Sequence, residues 1–216
     1  MAEHTKVKVC GITNLEDARF ASSMFVDYLG FIFYEKSPRY VDPAEAGVMI
    51  NWLEGPEYVG VFVNHPLDEV NRIAKETGID LVQLHGNESP EFCELIEKPV
   101  IKVIHVTPKT TTDELMAQIS AYREVADYYL FDTKIDDAWG GTGQTFDWDK
   151  LKTSLIDKPF FLSGGLNEEN VQLAIERVAP FAVDVSSSLE EKPGLKDFQK
   201  METFMDRIRE VWEAQT

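Results

Sequence analysis

Eight short apolar runs, each followed by a stretch with helical spacing or a capping signal, dominate this chain. The runs fall at 7–12, 28–33, 58–63, 81–85, 100–106, 128–132, 160–163 and 181–185. Between them, 66–77 places Leu67, Val70, Ile73 and Ala74 on one helical face. The stretches 167–178 and 195–213 do the same with Val171, Ala174, Ile175 and Val178, and with Leu195, Phe198, Met201 and Ile208. Capping residues or early prolines mark the helix starts: Asn14, Asp42-Pro43, Pro66, Ser89-Pro90 and Asn167.

Strands alternating with helices imply a parallel sheet with right-handed crossovers. Eight units fit a closed (β/α)8 TIM barrel, an α/β fold, spanning 1–216 as a single domain. The alternative is an open doubly wound sheet. Closure favours the barrel because glycine and polar residues gather at the strand-to-helix joints, and it predicts pairing of the last strand with the first.

The 216 residues carry 38 acids against 21 bases, a net charge of −17, which disfavours nucleic acid as a partner. The acids, including Glu168, Glu169, Glu190, Glu191 and Glu202, read as a solvated helical surface. No apolar run is long enough to span a membrane. Two cysteines, Cys10 and Cys93, read as reduced thiols of a cytoplasmic protein. No signal for oligomerisation stands out, and a monomer is the default expectation.

Parallel barrels put their chemistry at the C-terminal ends of the strands. The first strand ends Lys8-Val9-Cys10-Gly11, which puts an ammonium and a thiol on one face. After the second comes a basic loop whose Arg39 suits a carboxylate. The fourth carries Gln83 and His85 on one face of an otherwise apolar strand. The sixth ends at Asp132, an acid that is costly there unless paired or used. The glycine-rich segment 140–148 reads as a lid. The seventh and eighth strands end in Ser163-Gly164-Gly165 and Asp184-Val185-Ser186-Ser187-Ser188, the residue types a barrel phosphate site requires. Closure also predicts an inward Lys8–Asp184 ion pair beneath that loop.

These segments, in order, resemble the phosphoribosylanthranilate isomerase family of tryptophan biosynthesis. The resemblance is carried by Lys8-Val-Cys10-Gly-Ile-Thr13, Ser37-Pro-Arg39, Gln83-Leu-His85-Gly86, Phe131-Asp132-Thr133, Leu162-Ser-Gly-Gly-Leu166 and Asp184-Val-Ser-Ser187. It implies an Amadori rearrangement of N-(5-phosphoribosyl)anthranilate, a phosphosugar, with no cofactor and no metal. It further implies Cys10 as general base and Asp132 as general acid. Arg39 is then the carboxylate anchor, and Gly164, Gly165, Ser186 and Ser187 form the phosphate loops.

Such chemistry expects Lys8 to favour the Cys10 thiolate and burial against Leu130 and Phe131 to favour protonated Asp132. Two alternatives are the related histidine-pathway sugar isomerase and a barrel that binds a phosphosugar without turning it over. One departure stands out: Ser188 occupies a position where the family usually has glycine. If that position requires positive φ, serine is strained; if it opens a short helical turn, serine fits.

Overall fold

The computed structural model describes residues 4–133, 147–151 and 156–214. The lid expected at 140–148 falls largely on residues 134–146, outside the described ones. Eight strands close in sequence order into a parallel barrel: β1 (Lys6–Cys10), β2 (Tyr28–Ile32), β3 (Glu57–Phe62), β4 (Leu81–Leu84), β5 (Val100–Val106), β6 (Tyr128–Thr133), β7 (Phe160–Leu162) and β8 (Ala182–Val185). The β8–β1 pairing that closure requires is present, with Lys8 opposite Asp184 in the register.

Strand alternation builds two apolar layers. Tyr28, Val59, Leu81, Ile101, Leu130, Phe161 and Ala182 point inward and fill the barrel's lower half as one buried cluster. Val7, Val9, Leu29, Phe31, Val82 and Val183 point outward beneath the helices. Those helices are α1 (Leu15–Ser23), α2 (Pro43–Ile50), α3 (Leu67–Thr77), α4 (Pro90–Glu94), α5 (Thr112–Tyr122), α6 (Val171–Val178) and α7 (Phe198–Ala214). α3 shows why the pattern works. Val70, Ile73 and Ala74 are buried on one face, and Gly78 ends the helix at φ +77°. The caps read from sequence act as expected: Asn14 accepts from the Asp17 amide, Asp42 from Ala44 and Ser89 from Phe92.

Two boundaries move. Residues 167–170 form a turn, its amides taken by the Asn167 side chain, before α6 begins. Leu195–Lys196 is not helical but a short strand, β10, pairing antiparallel with β9 (Glu190–Lys192). Gly194, at φ +81°, makes the reversal, and the Asp17 carboxylate captures the Lys196 amide at 2.9 Å. This hairpin carries Lys196 and Glu190 under the barrel mouth.

Candidate active site

The site begins with Lys8, whose side chain is fully buried. A buried ammonium is costly unless every N–H is answered. It donates to Asp184 Oδ1 at 2.7 Å and to Gln83 Oε1 at 2.9 Å, across the barrel interior. The ion pair expected from strand adjacency is therefore present and points inward. Ser163 Oγ donates to the other Asp184 oxygen at 3.1 Å. Burial works against the Lys8 ammonium, but Asp184 and Cys10 outweigh it and hold its pKa above the ordinary lysine value.

Above this layer lies a cavity of about 110 Å³, lined by Cys10, Arg39, Gln83, His85, Asp132, Gly164, Gly165, Asp184, Ser186, Ser187 and Ser188. All the residues singled out from sequence are here except Lys8, which lies beneath. Asp132, only 3 % exposed, is pushed up to about 7, by burial first and by the Asp184 charge second. Such a carboxyl can hold a proton near neutrality, as the sequence led one to expect.

The thiol corrects the other expectation. Burial raises the Cys10 pKa, and although Lys8 and Lys196 pull it down, Asp184 pushes with burial and the net shift is upward. The cations favour the thiolate without overcoming desolvation.

The phosphate-loop candidates show a cradle. Gly164 and Gly165 have φ of +88° and +69°. A Cβ on Gly164 would collide with the Thr133 backbone, so glycine is required there on two counts. The Ser186 and Ser188 hydroxyls are buried with no hydrogen-bond partner among the described residues, which leaves two donors facing the cavity. Ser188 lies within a 3-10 turn, Ser187–Leu189, and not at positive φ, so of the two accounts of this serine the helical-turn one holds.

Glu190 overturns its reading as a solvated helical acid. It sits on β9, 6 % exposed, because two cations claim it. Arg39 grips it with Nε at 2.8 Å and Nη2 at 2.8 Å, and Lys196 Nζ lies 3.1 Å away. Burial pushes its pKa up, but these cations prevail and hold it below the usual range. Lys196 also donates to the carbonyls of Cys10 at 2.7 Å and Ser186 at 3.2 Å, tying β1 to the loop after β8. Gly11, at φ +78°, lets Arg39 and Ser186 pack over the strand end: a Cβ would stand 2.8 Å from Arg39 Cδ and 2.9 Å from Ser186 Oγ. One edge of Arg39 is thus committed to Glu190, and the rest of its fork is left at the cavity.

Sequence reasoning also passed over β5. His105 donates from Nε2 to the His85 carbonyl at 3.0 Å, and its ring packs edge-on to His85 at 5.0 Å. Lys102, buried, pairs with Glu88 at 2.8 Å and donates to the Gly86 carbonyl at 2.9 Å, which fixes the loop after β4. Two lysine- and histidine-bearing positions inside an apolar strand were the available signal. His85, His105 and Asp132 have ligand atoms within 4.8 Å of one another and are the described group able to hold a metal ion.

A family model described as N-(5'phosphoribosyl)anthranilate (PRA) isomerase matches residues 7–207. The chain belongs to this isomerase family. It is therefore an isomerase of tryptophan biosynthesis. Relatives of that name from Citrifermentans bemidjiense and Geobacter metallireducens are each 44% identical, over 96% and 94% of this chain and 98% of theirs. The solved phosphoribosyl anthranilate isomerase of Thermotoga maritima superposes with a TM-score of 0.87 at 40% identity, covering 95% of this chain and 99% of that one. A further isomerase structure, 37% identical with a TM-score of 0.81 and covering 95% and 99%, was solved in complex with reduced 1-(o-carboxyphenylamino)-1-deoxyribulose 5-phosphate. The barrel and the family expected from the sequence are both borne out. Among the described residues, no helix is long and apolar enough to cross a membrane.

Proposed function

We propose that Cys10 and Asp132 are the base and acid of an Amadori rearrangement of N-(5-phosphoribosyl)anthranilate. Asp132 gives its proton to the furanose ring oxygen as the C1–O bond breaks, leaving a C1=N Schiff base. The Cys10 thiolate takes the proton from C2. The C–H electron pair forms C1=C2, and the C1=N pair returns to nitrogen. The resulting enolamine takes a proton at C1 while its C2 hydroxyl releases one, and becomes the ketone. C2 is oxidised and C1 reduced within one molecule, so the electrons balance without a cofactor.

The observation that carries this reading is one cavity holding both a buried acid with a pKa of about 7 and a buried thiol close to two ammonium groups. The phosphate is assigned to Gly164, Gly165 and the loop of Ser186, Ser187 and Ser188, where two hydroxyls await an acceptor. The substrate carboxylate is assigned to the fork of Arg39 left open by Glu190. Gln83 and His85 form the opposite wall, and Lys8 with Asp184 the floor.

Consumption of phosphoribosylanthranilate by the purified chain tests the reading directly. Cys10→Ala and Asp132→Asn are each expected to lose at least a thousandfold in kcat. Undiminished turnover in either variant removes that residue from its role. All the assigned residues come from one chain, so the reading needs only a monomer. The Thermotoga maritima relative is described as dimeric, and light scattering of this chain decides the point. Two free, buried thiols support work in the reducing cytoplasm.

A further inference from the structure

The polar side chains across the barrel mouth form one directed hydrogen-bond chain, and its directions can be worked out from donor and acceptor chemistry. Lys8 Nζ only donates. Its 2.9 Å partner on Gln83 is therefore the carbonyl oxygen, Oε1. That fixes the amide, and the Gln83 NH2 group is turned toward His85 Nδ1 at 3.3 Å. An amide nitrogen also only donates, so Nδ1 accepts and holds a lone pair. A neutral imidazole carries its single proton on the other nitrogen, Nε2. His85 Nε2 lies 3.7 Å from Asp132 Oδ2.

The same rule applies at His105. A carbonyl only accepts, so the 3.0 Å contact to the His85 carbonyl places the His105 proton on Nε2. Its ring, edge-on at 5.0 Å, holds the His85 ring from the β5 side. Among the described residues, the charged and titratable groups around His85 include Asp132 on β6, His105 on β5 and, through Gln83, Lys8 and Asp184 on β1 and β8.

We infer that Gln83 and His85 are positioning residues for the acid: the Lys8–Gln83–His85 chain locks His85 as its Nε2–H tautomer, and that N–H holds Asp132 Oδ2, leaving Oδ1 to carry the proton into the cavity. The inference rests on Asp132 being the proton donor. A gap of 3.7 Å is long for a hydrogen bond, and such contacts tighten when substrate closes the site. Lys8 is then the hinge of the site. One ammonium favours the Cys10 thiolate and, through two side chains, orients the acid.

The first test reads the tautomer itself. Long-range proton–nitrogen correlation spectra of the nitrogen-15-labelled full chain near pH 7.5 are expected to show His85 protonated on Nε2. Protonation on Nδ1 overturns the inference. In Gln83→Glu the carboxylate accepts from Lys8 and from the ring, and the proton is expected on Nδ1.

The second test is kinetic. His85→Leu is expected to lower kcat about 100-fold with KM within threefold, and to move the lower limb of the pH–rate profile to higher pH. His85→Gln, which keeps an N–H at the reach of Nε2, is expected to recover at least tenfold of that loss. Equal rates for Leu and Gln overturn the positioning role. Full turnover in Asp132→Asn with the Nε2–H tautomer intact refutes the acid assignment instead, and leaves the hydrogen-bond chain standing.

Discussion

Asp132 is expected to cost the protein stability in proportion to its usefulness. Its carboxyl titrates at about 7 in place of an ordinary 3.8, with burial as the main cause. An acid whose folded pKa is raised holds a proton that the unfolded chain has already released. Below about pH 4 both states are protonated and there is no penalty. Between pH 4 and 7 the native state binds more protons, so stability falls as pH rises; above 7 the penalty is complete. One unit is worth about 1.36 kcal/mol, so a shift of about three units costs about 4 kcal/mol at pH 8 and about 2 kcal/mol at pH 5.5.

Asn has the same shape and no charge to desolvate. Asp132→Asn should therefore abolish turnover and stabilise the fold, by up to about 4 kcal/mol at pH 8 and about half that at pH 5.5. For a chain of this length 1 kcal/mol moves Tm by about 2–4 °C, so the gain at pH 8 is about 10 °C. Urea or thermal unfolding of both proteins at pH 5.5, 6.5 and 8 measures it. A gap that does not widen with pH refutes the argument, as does a variant less stable than the parent at pH 8.

The pH–rate profile should show an unusual plateau. The productive form needs Asp132 protonated and Cys10 ionised, yet the acid titrates at about 7 and the thiol above its ordinary 9.0. kcat/KM then rises up to about pH 7, stays level while one loss offsets the other gain, and falls above the thiol pKa; a sharp maximum below pH 7 contradicts this. Gly30→Ala should lower kcat about 100-fold, because the new Cβ would stand 2.7 Å from Cys10 Sγ and displace it; unchanged kcat counts against Cys10 as base. Glu190→Gln leaves Lys196 buried without its counter-charge and should cost about 3 kcal/mol in urea unfolding; a loss under 1 kcal/mol shows the cations are otherwise satisfied. Ser188→Ala should raise KM for the phosphorylated substrate about tenfold with kcat little changed, since one charge-assisted hydrogen bond is lost; an unchanged KM removes Ser188 from the phosphate site.

The barrel was legible because its signals are local and repeated: each strand, cap and turn is written within a dozen residues. The Lys8–Asp184 pair was legible too, despite a sequence separation of 176, because closure makes β1 and β8 neighbours and alternation sets the faces. What lay hidden depends on contacts that no periodicity encodes. Glu190 stands in an acidic pair, Glu190-Glu191, and looks solvated until Arg39, 151 residues away, and Lys196 close on it. The rise of the Cys10 pKa was missed for a related reason. Adjacency of Lys8 on one strand face can be read from sequence, whereas the degree of desolvation is a property of the finished packing. His105 went unnoticed in a strand read as apolar, although it braces the ring that faces Asp132.

The charge balance then explains how so acidic a chain can take an anion. Among the described residues, three cations, Lys8, Arg39 and Lys196, stand around the cavity against two paired carboxylates, Asp184 and Glu190. Asp132 adds no full charge below about pH 7 because it is largely protonated there. The mouth is thus locally positive by about one charge while the chain as a whole carries −17. Ionising Cys10 uses up that excess, and so does binding a phosphate. The two anions compete for the same cations, Lys196 being tied at once to the Cys10 carbonyl and to the Ser186 carbonyl of the phosphate loop. Substrate phosphate should consequently raise the thiol pKa further, and the thiolate must form against that field, which favours proton transfer from C2 to a transient base over a standing thiolate. A thiol pKa that falls when a phosphorylated product analogue binds, measured by the pH dependence of alkylation at Cys10, would show the reverse coupling and defeat this account.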